Sequence, residues 1–394
     1  MKMRMTQLKT IADIQTGPFG SQLHKEDYVE TGTPIVTVEH LGNRVFTEQN
    51  LPRVSDSDKA RLIKYTLSTG DIVFSRVGSV DRCSYVDKSH DGWMFSGRCL
   101  RVRPTELVDS LYLYYYFCLE ETKQFVRNIA VGATMPSINT KLLGEVEIAL
   151  PDLNNQKRIA AVLSSLDDKI ENNQKLNDNL YEMVNAYYTS LFKDVECEMT
   201  TIGNYAERIY SGGTPTTSNA AYWDGAFGWF SSGETRNRFV ISTEKTITQA
   251  GIDNSSTKLA AKHDIVMASA GQGFTRGQTS MLLIDTYVNQ SVIVIHAERN
   301  VLPYLFWNLA NRYEELRAIS DSSSIRGSLT TKMIATFEIP LANEESLQAF
   351  ADFSWSVIPQ IENNLLENER LAALRDNLLP KLMSGEIDVS NIQL

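Results

Sequence analysis

The tetrapeptide Ile170-Glu171-Asn172-Asn173 recurs 191 residues further along the chain as Ile361-Glu362-Asn363-Asn364. Three more matches have the same or nearly the same offset: Thr140-Lys141 with Thr331-Lys332, Glu147-Ile148 with Glu338-Ile339, and Asp71-Ile72-Val73 with Asp264-Ile265-Val266. A constant offset over several matches indicates an internal duplication, and a period of this length is too long for a solenoid repeat. We therefore predict two long units related by pseudo-two-fold symmetry.

The 394 residues give each unit room for a core of its own. No apolar run reaches the length that spans a bilayer, and the start of the chain lacks the apolar stretch of a signal peptide. The four cysteines, Cys83, Cys99, Cys118 and Cys197, form no CxxC pair and have no histidine at metal-ligand spacing. These features predict a cytoplasmic protein with reduced, structural thiols.

The formal net charge of −10 is unevenly distributed. Residues 1–151 carry 18 basic and 18 acidic side chains, and residues 200–342 carry 12 of each. Residues 152–199 carry 5 basic against 9 acidic side chains and residues 343–394 carry 3 against 9, so the acidic excess lies in these two segments. A neutral domain can bind DNA when its basic groups cluster on one face, so this balance permits DNA binding without predicting it.

Two long helices are predicted, one at the end of each unit. From Ile159 to Leu191 the apolar positions alternate steps of four and three residues, which is the spacing of a coiled-coil face. A second, less regular seam runs from Phe350 to Leu382. Equivalent helices related by a pseudo-dyad pack antiparallel, so we predict a rod of two antiparallel helices that holds the two globular parts apart.

Asparagine occupies two positions of each seam where leucine would pack better: Asn173 and Asn177 in the first seam, and Asn364 and Asn368 in the second. A buried asparagine lowers stability but fixes the register, because a slipped alignment leaves its amide unpaired. We therefore predict that these four residues set the register of the helix pair. The alternative is that they lie on the exposed flank of a broader helix.

The globular parts have the pattern of a mixed α+β fold. Each opens with a helix-like segment that runs into a Gly-rich turn, at residues 11–21 and 205–215. Short β-type stretches follow, such as Ile72 to Ser75, and each unit then has an aromatic helical segment, at residues 111–117 and 304–307. These aromatic residues have helical spacing, so we predict that they form core and not a base-stacking platform.

Polar residues beside glycines in loops are the candidates for DNA contact. The first unit offers Ser75, Arg76, Gly78 and Arg82, and the second offers Gln272, Arg276 and Gln278 with a basic pair at Arg236 and Arg238. Arginine can read guanine and glutamine can read adenine in the major groove. Gly-rich turns and their flanks offer further candidates, some of them for phosphate contact: Phe19, Lys141, Arg326 and Lys332. A solvated surface residue, a turn residue or a local ion pair is the alternative for each of them.

The chain lacks the motifs of the common active sites. It contains no GxxxxGK[ST], HExxH or GxSxG, and no Asn-Pro-Pro-[Tyr/Phe] of the kind found in adenine methyltransferases. Glu121-Thr122-Lys123 matches the end of a nuclease motif but lacks the upstream Pro-Asp. The sequence therefore predicts a chain with no catalytic residues and no metal site.

Several segments resemble the specificity subunits of type I restriction–modification systems, and the resemblance extends over essentially the whole chain. It is carried by residues 16–21 (Thr-Gly-Pro-Phe-Gly-Ser), by residues 70–78 (Gly-Asp-Ile-Val-Phe-Ser-Arg-Val-Gly) and by the strand-to-helix passage at 148–159. Residues 371–387 look very like the closing helix of that family.

The resemblance implies two target-recognition domains, at residues 1–151 and 197–342, and two spacer helices, at residues 152–196 and 343–394. Each recognition domain would bind half of a bipartite, asymmetric site in double-stranded DNA. Two modification subunits, which bind S-adenosylmethionine, and ATP- and Mg-dependent restriction subunits would dock on the chain, which itself holds no cofactor. Two other functions stay open: a structural adaptor that bridges two proteins without reading DNA, and a single-chain methyltransferase-nuclease with unrecognised motifs.

Overall fold

The structure is a computed structural model that describes residues 3–18, 22–193, 198–271, 273–322 and 327–392. The chain forms two compact units. Unit 1 comprises Met1–Glu171 together with Arg370–Leu394, and unit 2 comprises Asn172–Glu369. Among the described helices, none is both long enough and apolar enough to cross a membrane.

Unit 1 is built from short strands and short helices, followed by a long helix. Its strands are β1 Arg4–Gln7, β2 Ala12–Thr16, β3 Tyr28–Val29, β4 Thr33–Val36, β5 Arg53–Val54, β6 Ile72–Ser75, β7 Cys83–Tyr85, β8 Met94–Phe95, β9 Cys99–Pro104 and β10 Glu147–Leu150. Its helices are α1 Asp56–Arg61, α2 Ser110–Cys118, α3 Glu120–Ile129, α4 Thr140–Gly144 and the start of α5 Leu153–Phe192, which ends in unit 2. The strands form three sheets, in the orders β1-β10, β2-β9-β6-β7 and β3-β5-β4-β8.

Unit 2 repeats this plan. Its strands are β11 Met199–Thr201, β12 Ala206–Ser211, β13 Trp223–Phe230, β14 Phe239–Val240, β15 Lys245–Ile247, β16 Lys258–Ala260, β17 Ile265–Ala268, β18 Thr279–Leu282, β19 Thr286–Val288, β20 Val292–Ala297 and β21 Glu338–Pro340. Its helices are α6 Ile202–Tyr205, α7 Gln249–Asp253, α8 Leu302–Asn311, α9 Tyr313–Ser322, α10 Thr331–Ala335 and α11 Glu344–Ser384, which ends in unit 1. The sheet orders are β11-β21, β12-β20-β17-β18-β14 and β15-β13-β19-β16. The mixed α+β fold and its internal repeat, predicted from the sequence, are confirmed.

The strands β6 and β17 lie in the middle of the repeated sheets and are buried on both faces. Alternate residues of a strand point to opposite faces, so Ile72 and Phe74 pack in the core that contains α2, whereas Val73 packs in a second core with Ile35 and Phe95. This explains why the matched segments at offset 193 are continuous apolar runs without the alternation of a half-exposed strand. Four of the five aromatic side chains of α2 are buried in the first of these cores, and all three of α8 are buried in the core of unit 2, as predicted.

The segments that open the two globular parts are strands, so the prediction of helix-like openings is wrong. In the first, a short 3-10 turn, Leu8–Thr10, leads through Ile11 into β2. β2 pairs with β9 over its whole length, and Asp13 on β2 accepts a 2.7 Å hydrogen bond from Arg101 on β9. β12 likewise pairs antiparallel with β20, with a register shift between Ala206 and Arg208. Sheet pairing therefore overrides the local pattern.

In unit 1, a buried carboxylate connects the aromatic helix α2 to both long helices. Asp167 on α5 accepts hydrogen bonds from the Tyr115 hydroxyl at 2.6 Å and from Arg375 on α11 at 2.7 Å. Burial, reinforced by the Asp167 carboxylate, raises the pKa of Tyr115 above its ordinary value, so the hydroxyl stays protonated and donates. In unit 2, Asn308 on α8 donates to the Tyr188 hydroxyl on α5 at 2.8 Å.

In unit 2, the four predicted register-setting asparagines lie between α5 and α11. Asn173 is 3% exposed and donates to Asn368 at 2.9 Å and to Glu367 at 2.7 Å. Asn364 donates to Asn177 at 2.7 Å. The two helices are antiparallel here, because residues ascending on α5 contact residues descending on α11. These contacts place the asparagines in the seam and not on an exposed flank, while their role in setting the register stays a prediction.

We expect Asn173→Ala to destabilise unit 2 by about 1–3 kcal/mol, because the substitution leaves two acceptors on α11 without this buried donor. The measurement is the midpoint of urea unfolding of the full chain. Asn179→Ala, an exposed asparagine on the same helix, is the matched control and should change the midpoint little. Equal midpoints for the two variants would show that the amide contributes nothing to the seam.

Candidate nucleic-acid interface

Two loops meet at one edge of the central sheet in unit 1. The β6 loop, residues 76–82, follows strand β6, and the α4 loop, residues 130–139, precedes helix α4. The Gly78 amide donates to the Pro136 carbonyl at 2.8 Å, and the Ile138 amide donates to the Arg76 carbonyl at 2.9 Å. Backbone hydrogen bonds therefore join the two loops into one surface, which carries the candidates Arg76, Gly78 and Arg82.

The same pair of loops occurs in unit 2. The β17 loop, residues 269–278, follows strand β17, and the α10 loop, described over residues 327–330, precedes helix α10. The Leu329 amide donates to the Ser269 carbonyl at 2.8 Å, which is the counterpart of the bond from Ile138 to Arg76. The duplication thus preserves the backbone of this edge, although the loop sequences differ.

A buried aspartate precedes each central strand, at the end of the strand opposite the loops. Asp71 accepts from the Ser68 amide at 2.8 Å and from Arg103 at 2.7 Å. Its counterpart Asp264 accepts from the Ala261 amide at 2.9 Å and from the His296 ring at 2.5 Å. Hydrogen bonding to Asp71 raises the pKa of Arg103, so this guanidinium stays charged beside the carboxylate.

The candidates of the β6 loop and of strand β6 differ in how accessible they are. Arg82 is exposed and lies against Gly42, and Gly78 is exposed with a φ of +76° and open space around it. Arg76 is half-buried and donates to the Gly97 carbonyl at 2.8 Å. Ser75 is buried, and its hydroxyl donates to the Val77 carbonyl at 2.8 Å.

In unit 2, Arg276 is buried and holds the β17 loop against the α10 loop. It donates to the Gly327 carbonyl at 2.7 Å and forms an ion pair with Asp321. The half-buried Gln278 has a buried Oε1 without a hydrogen-bond partner among the described residues. Gln272 lies outside the described residues, as do Phe19 and Arg326.

Two candidates, Ser75 and Arg276, are buried in the structure, and their contact with DNA stays a prediction. The Ser75 hydroxyl is bonded to the Val77 carbonyl, and the Arg276 guanidinium is bonded to the Gly327 carbonyl and paired with Asp321 on α9. They shape the loops, and contact with DNA would require these bonds to break. Direct contact by Arg76, Gly78, Arg82 and Gln278 stays a prediction.

The other basic candidates are exposed but dispersed. Arg236 pairs with Glu244, and Arg238 pairs with Asp178 on α5 at 3.2 Å and covers the Tyr181 ring. Exposed Lys141 and Lys332 occupy the second position of α4 and α10, directly after the loops. Arg236 and Arg238 are thus each held by a local carboxylate, whereas the two lysines follow the paired loops and suit a phosphate contact.

Exposed apolar side chains on these loops were not predicted from the sequence. Val131 and Met135 on the α4 loop are 63% and 66% exposed, and Phe274 on the β17 loop is 85% exposed. The signal for Phe274 was its place directly after Gly273 in a loop, outside any helical or strand pattern. Phe19, in the Gly-rich turn of the first unit, is the aromatic residue among the candidates predicted from the sequence.

Comparison with known proteins gives consistent matches. The family model described as the type I restriction modification DNA specificity domain matches this chain twice, over residues 2–182 and 195–369. The specificity subunit of the type I restriction enzyme HindI from Haemophilus influenzae is 21% identical, over 82% of this chain and 88% of that protein. The MjaIX specificity subunit of Methanocaldococcus jannaschii is 23% identical, over 73% of this chain and 72% of that protein.

A solved structure has the same fold. The S subunit of a type I restriction–modification system from M. genitalium matches with a TM-score of 0.61 at 17% identity, covering 97% of this chain and 96% of that chain. At this identity the similarity concerns the fold alone. Each of the two family-model matches contains one set of paired loops and part of the helix that follows.

Proposed function

Because this chain belongs to the family of type I restriction–modification DNA specificity proteins, we propose that it selects the DNA site for such a complex. Each unit binds one half of a bipartite, asymmetric site in double-stranded DNA, through its pair of loops. The chain is not an enzyme: methyl transfer and DNA cleavage belong to other subunits of the complex.

The observation that carries this proposal is the pair of loops present in both units. Their backbone connections are the same, from Ile138 to Arg76 in unit 1 and from Leu329 to Ser269 in unit 2, but their side chains differ. A preserved scaffold with different side chains is what two half-sites of different sequence require, because base edges are read by side chains. Loops on a rigid sheet are also where binding residues concentrate in proteins.

We further propose partners and cofactors from family membership. Two modification subunits dock on the two repeats, since a duplicated chain offers each docking surface twice. These subunits hold S-adenosylmethionine, and restriction subunits of the same complex use ATP and Mg. The complex acts in the cytoplasm.

The test compares the chain alone with the chain assembled with its modification subunits. The isolated chain should transfer no methyl group from labelled S-adenosylmethionine to DNA, whereas the assembled complex should methylate one bipartite sequence. In gel shifts, the complex should bind a duplex with that sequence at least about 10³-fold more tightly than a scrambled duplex.

The other two functions predict different results. An adaptor that bridges proteins without reading DNA would bind both duplexes equally in the complex. A single-chain methyltransferase-nuclease would transfer methyl groups in the absence of any partner. A variant of the modification subunit that cannot bind S-adenosylmethionine is the control for carry-over of enzyme between the preparations.

A further inference from the structure

Phe274 is more exposed than any other large apolar side chain in the described part of the chain, at 85%. A single exposed apolar residue is common on protein surfaces and needs no explanation by itself. The backbone on which Phe274 stands is what distinguishes it from such residues.

Two side chains of α9 bond to the backbone of the β17 loop at Phe274 and at the residue before it. The Tyr313 hydroxyl donates to the Phe274 carbonyl at 2.6 Å, and Arg317 donates to the Gly273 carbonyl at 2.6 Å. Tyr313 and Arg317 lie one turn apart on α9, so both reach the loop from one helix face. The backbone is therefore held by α9, while the phenyl ring is exposed to solvent.

The C-terminal side of the same loop is also fixed. Gly277 has a φ of +86°, and a side chain at this position would lie about 3.4 Å from Leu316 on α9. Arg276 connects the loop to the α10 loop through the Gly327 carbonyl. A loop whose backbone is held at several points keeps Phe274 in place when a ligand presses against the ring, whereas a mobile loop would yield.

Unit 1 has no aromatic residue at the equivalent place. At the offset of 193, Phe274 corresponds to Asp81, which accepts a 2.5 Å hydrogen bond from Arg127 on α3. At this edge of unit 1, exposed apolar residues lie on the α4 loop instead, at Val131 and Met135. The two units thus present different apolar groups at the same edge, so any effect of Phe274 concerns one half-site.

We propose that Phe274 is a wedge that inserts into a base-pair step of the half-site bound by unit 2. The proposal rests on the proposed function, because it needs DNA at the paired loops. An apolar ring stacks on the face of any base, and phenylalanine is among the side chains that proteins insert between base pairs to unstack and kink a duplex. The brace from Tyr313 and Arg317 resists the force that restacking of the bases exerts on the ring. The energy needed to unstack a base-pair step depends on its sequence, so the affinity of unit 2 for a half-site depends partly on that step. This adds shape readout to base contacts.

The experiment uses the full chain with its modification subunits and duplexes in which 2-aminopurine replaces one base at a time. The adenine that becomes methylated is left unlabelled, because methyltransferases turn their target base out of the helix and would raise the fluorescence there in any case. We expect the wild-type complex to raise the fluorescence at one further step, in the unit 2 half-site only. Phe274→Ala should abolish this rise and weaken binding roughly 5- to 150-fold.

Leu259→Ala is the matched control, since Leu259 is an exposed apolar residue of the same unit on strand β16 and should have no effect. Unchanged fluorescence and affinity in Phe274→Ala would overturn the proposal. A second result would also overturn it: Phe274→Ala lowers the affinity but leaves the fluorescence unchanged, and replacing one thymine with deoxyuridine lowers the affinity of the wild-type complex by the same factor. This would mean that the ring contacts a thymine methyl group.

The result for the wild-type complex separates this proposal from the function on which it rests. If the wild-type complex does not bind the sequence that it methylates more tightly than a scrambled duplex, the proposed function itself fails. If it does prefer that sequence and Phe274→Ala behaves like wild type, only the wedge fails.

Discussion

Exchanging residues 172–369 for the equivalent segment of another specificity subunit should change one half of the methylated DNA site and leave the other half unaltered. These residues form unit 2, which has its own core and contains both loops of its edge. The core of unit 1 draws its residues from elsewhere in the chain, so the exchange leaves it intact. Sequencing of methylated positions in DNA treated with the assembled complex is the measurement.

A narrower exchange, of residues 197–342, should fail to give a stable chain. The core of unit 2 includes Tyr181, Tyr188 and Phe192 on α5, and Phe350 on α11, all outside that segment. A foreign domain would meet these side chains with mismatched shapes, at about 1–3 kcal/mol for each overpacked site and more for each cavity. Several mismatches together approach the whole stability of a domain of this size.

The two exchanges replace the same pair of loops and so form a matched pair. Altered methylation in both half-sites after the wider exchange would contradict the assignment of one half-site to each unit. Equal yield and equal thermal stability of the two chimaeras would show instead that the helix residues are not part of a shared core. The division into two recognition domains and two spacer helices stays a prediction about function. The packing favours unit boundaries inside the long helices, at residues 171–172 and 369–370.

The features that could be predicted from the sequence are those that repeat or have a regular period. The constant offset between Asp71-Ile72-Val73 and Asp264-Ile265-Val266 located the central strand of each unit, and the buried pattern of both strands explains the match. The heptad spacing located α5 and α11. The apolar pattern within each strand and within each helix is local in sequence. The physical constraint behind both patterns is burial at a fixed spacing.

The details of the candidate site depend on contacts between distant residues. Arg276 appeared available to read a base, yet its partners Asp321 and Gly327 lie about 50 residues further on and bury its guanidinium. The hydrogen bonds that hold the backbone at Phe274 come from α9, about 40 residues further on. No periodicity in the loop sequence predicts them. The accessibility of a loop residue therefore follows from the fold and not from residue type.

Phe350→Ala should lower the stability of unit 2 by about 3–5 kcal/mol while leaving unit 1 unchanged. The Phe350 ring is fully buried on α11 and lies 5.6 Å from the Phe192 ring, 5.7 Å from Tyr188 and 5.8 Å from Trp307. It thus joins α11 to α5 and to the aromatic helix α8 in one cluster. Removing it leaves a cavity that the surrounding rings on α5 and α8 cannot all move to fill.

Calorimetry of the full chain would measure this effect on each unit separately. For a unit of this size, a loss of 1 kcal/mol lowers the melting temperature by about 2–4 °C, so the transition of unit 2 should fall by roughly 6–20 °C. Leu176→Ala, at a half-exposed position of α5 in the same unit, is the control and should shift it by less than about 2 °C. The complex should then lose methylation between the two transitions, because a bipartite site needs both units folded. A single transition that moves as a whole would mean that the two units unfold together, and each half-site would then depend on the packing of the other unit.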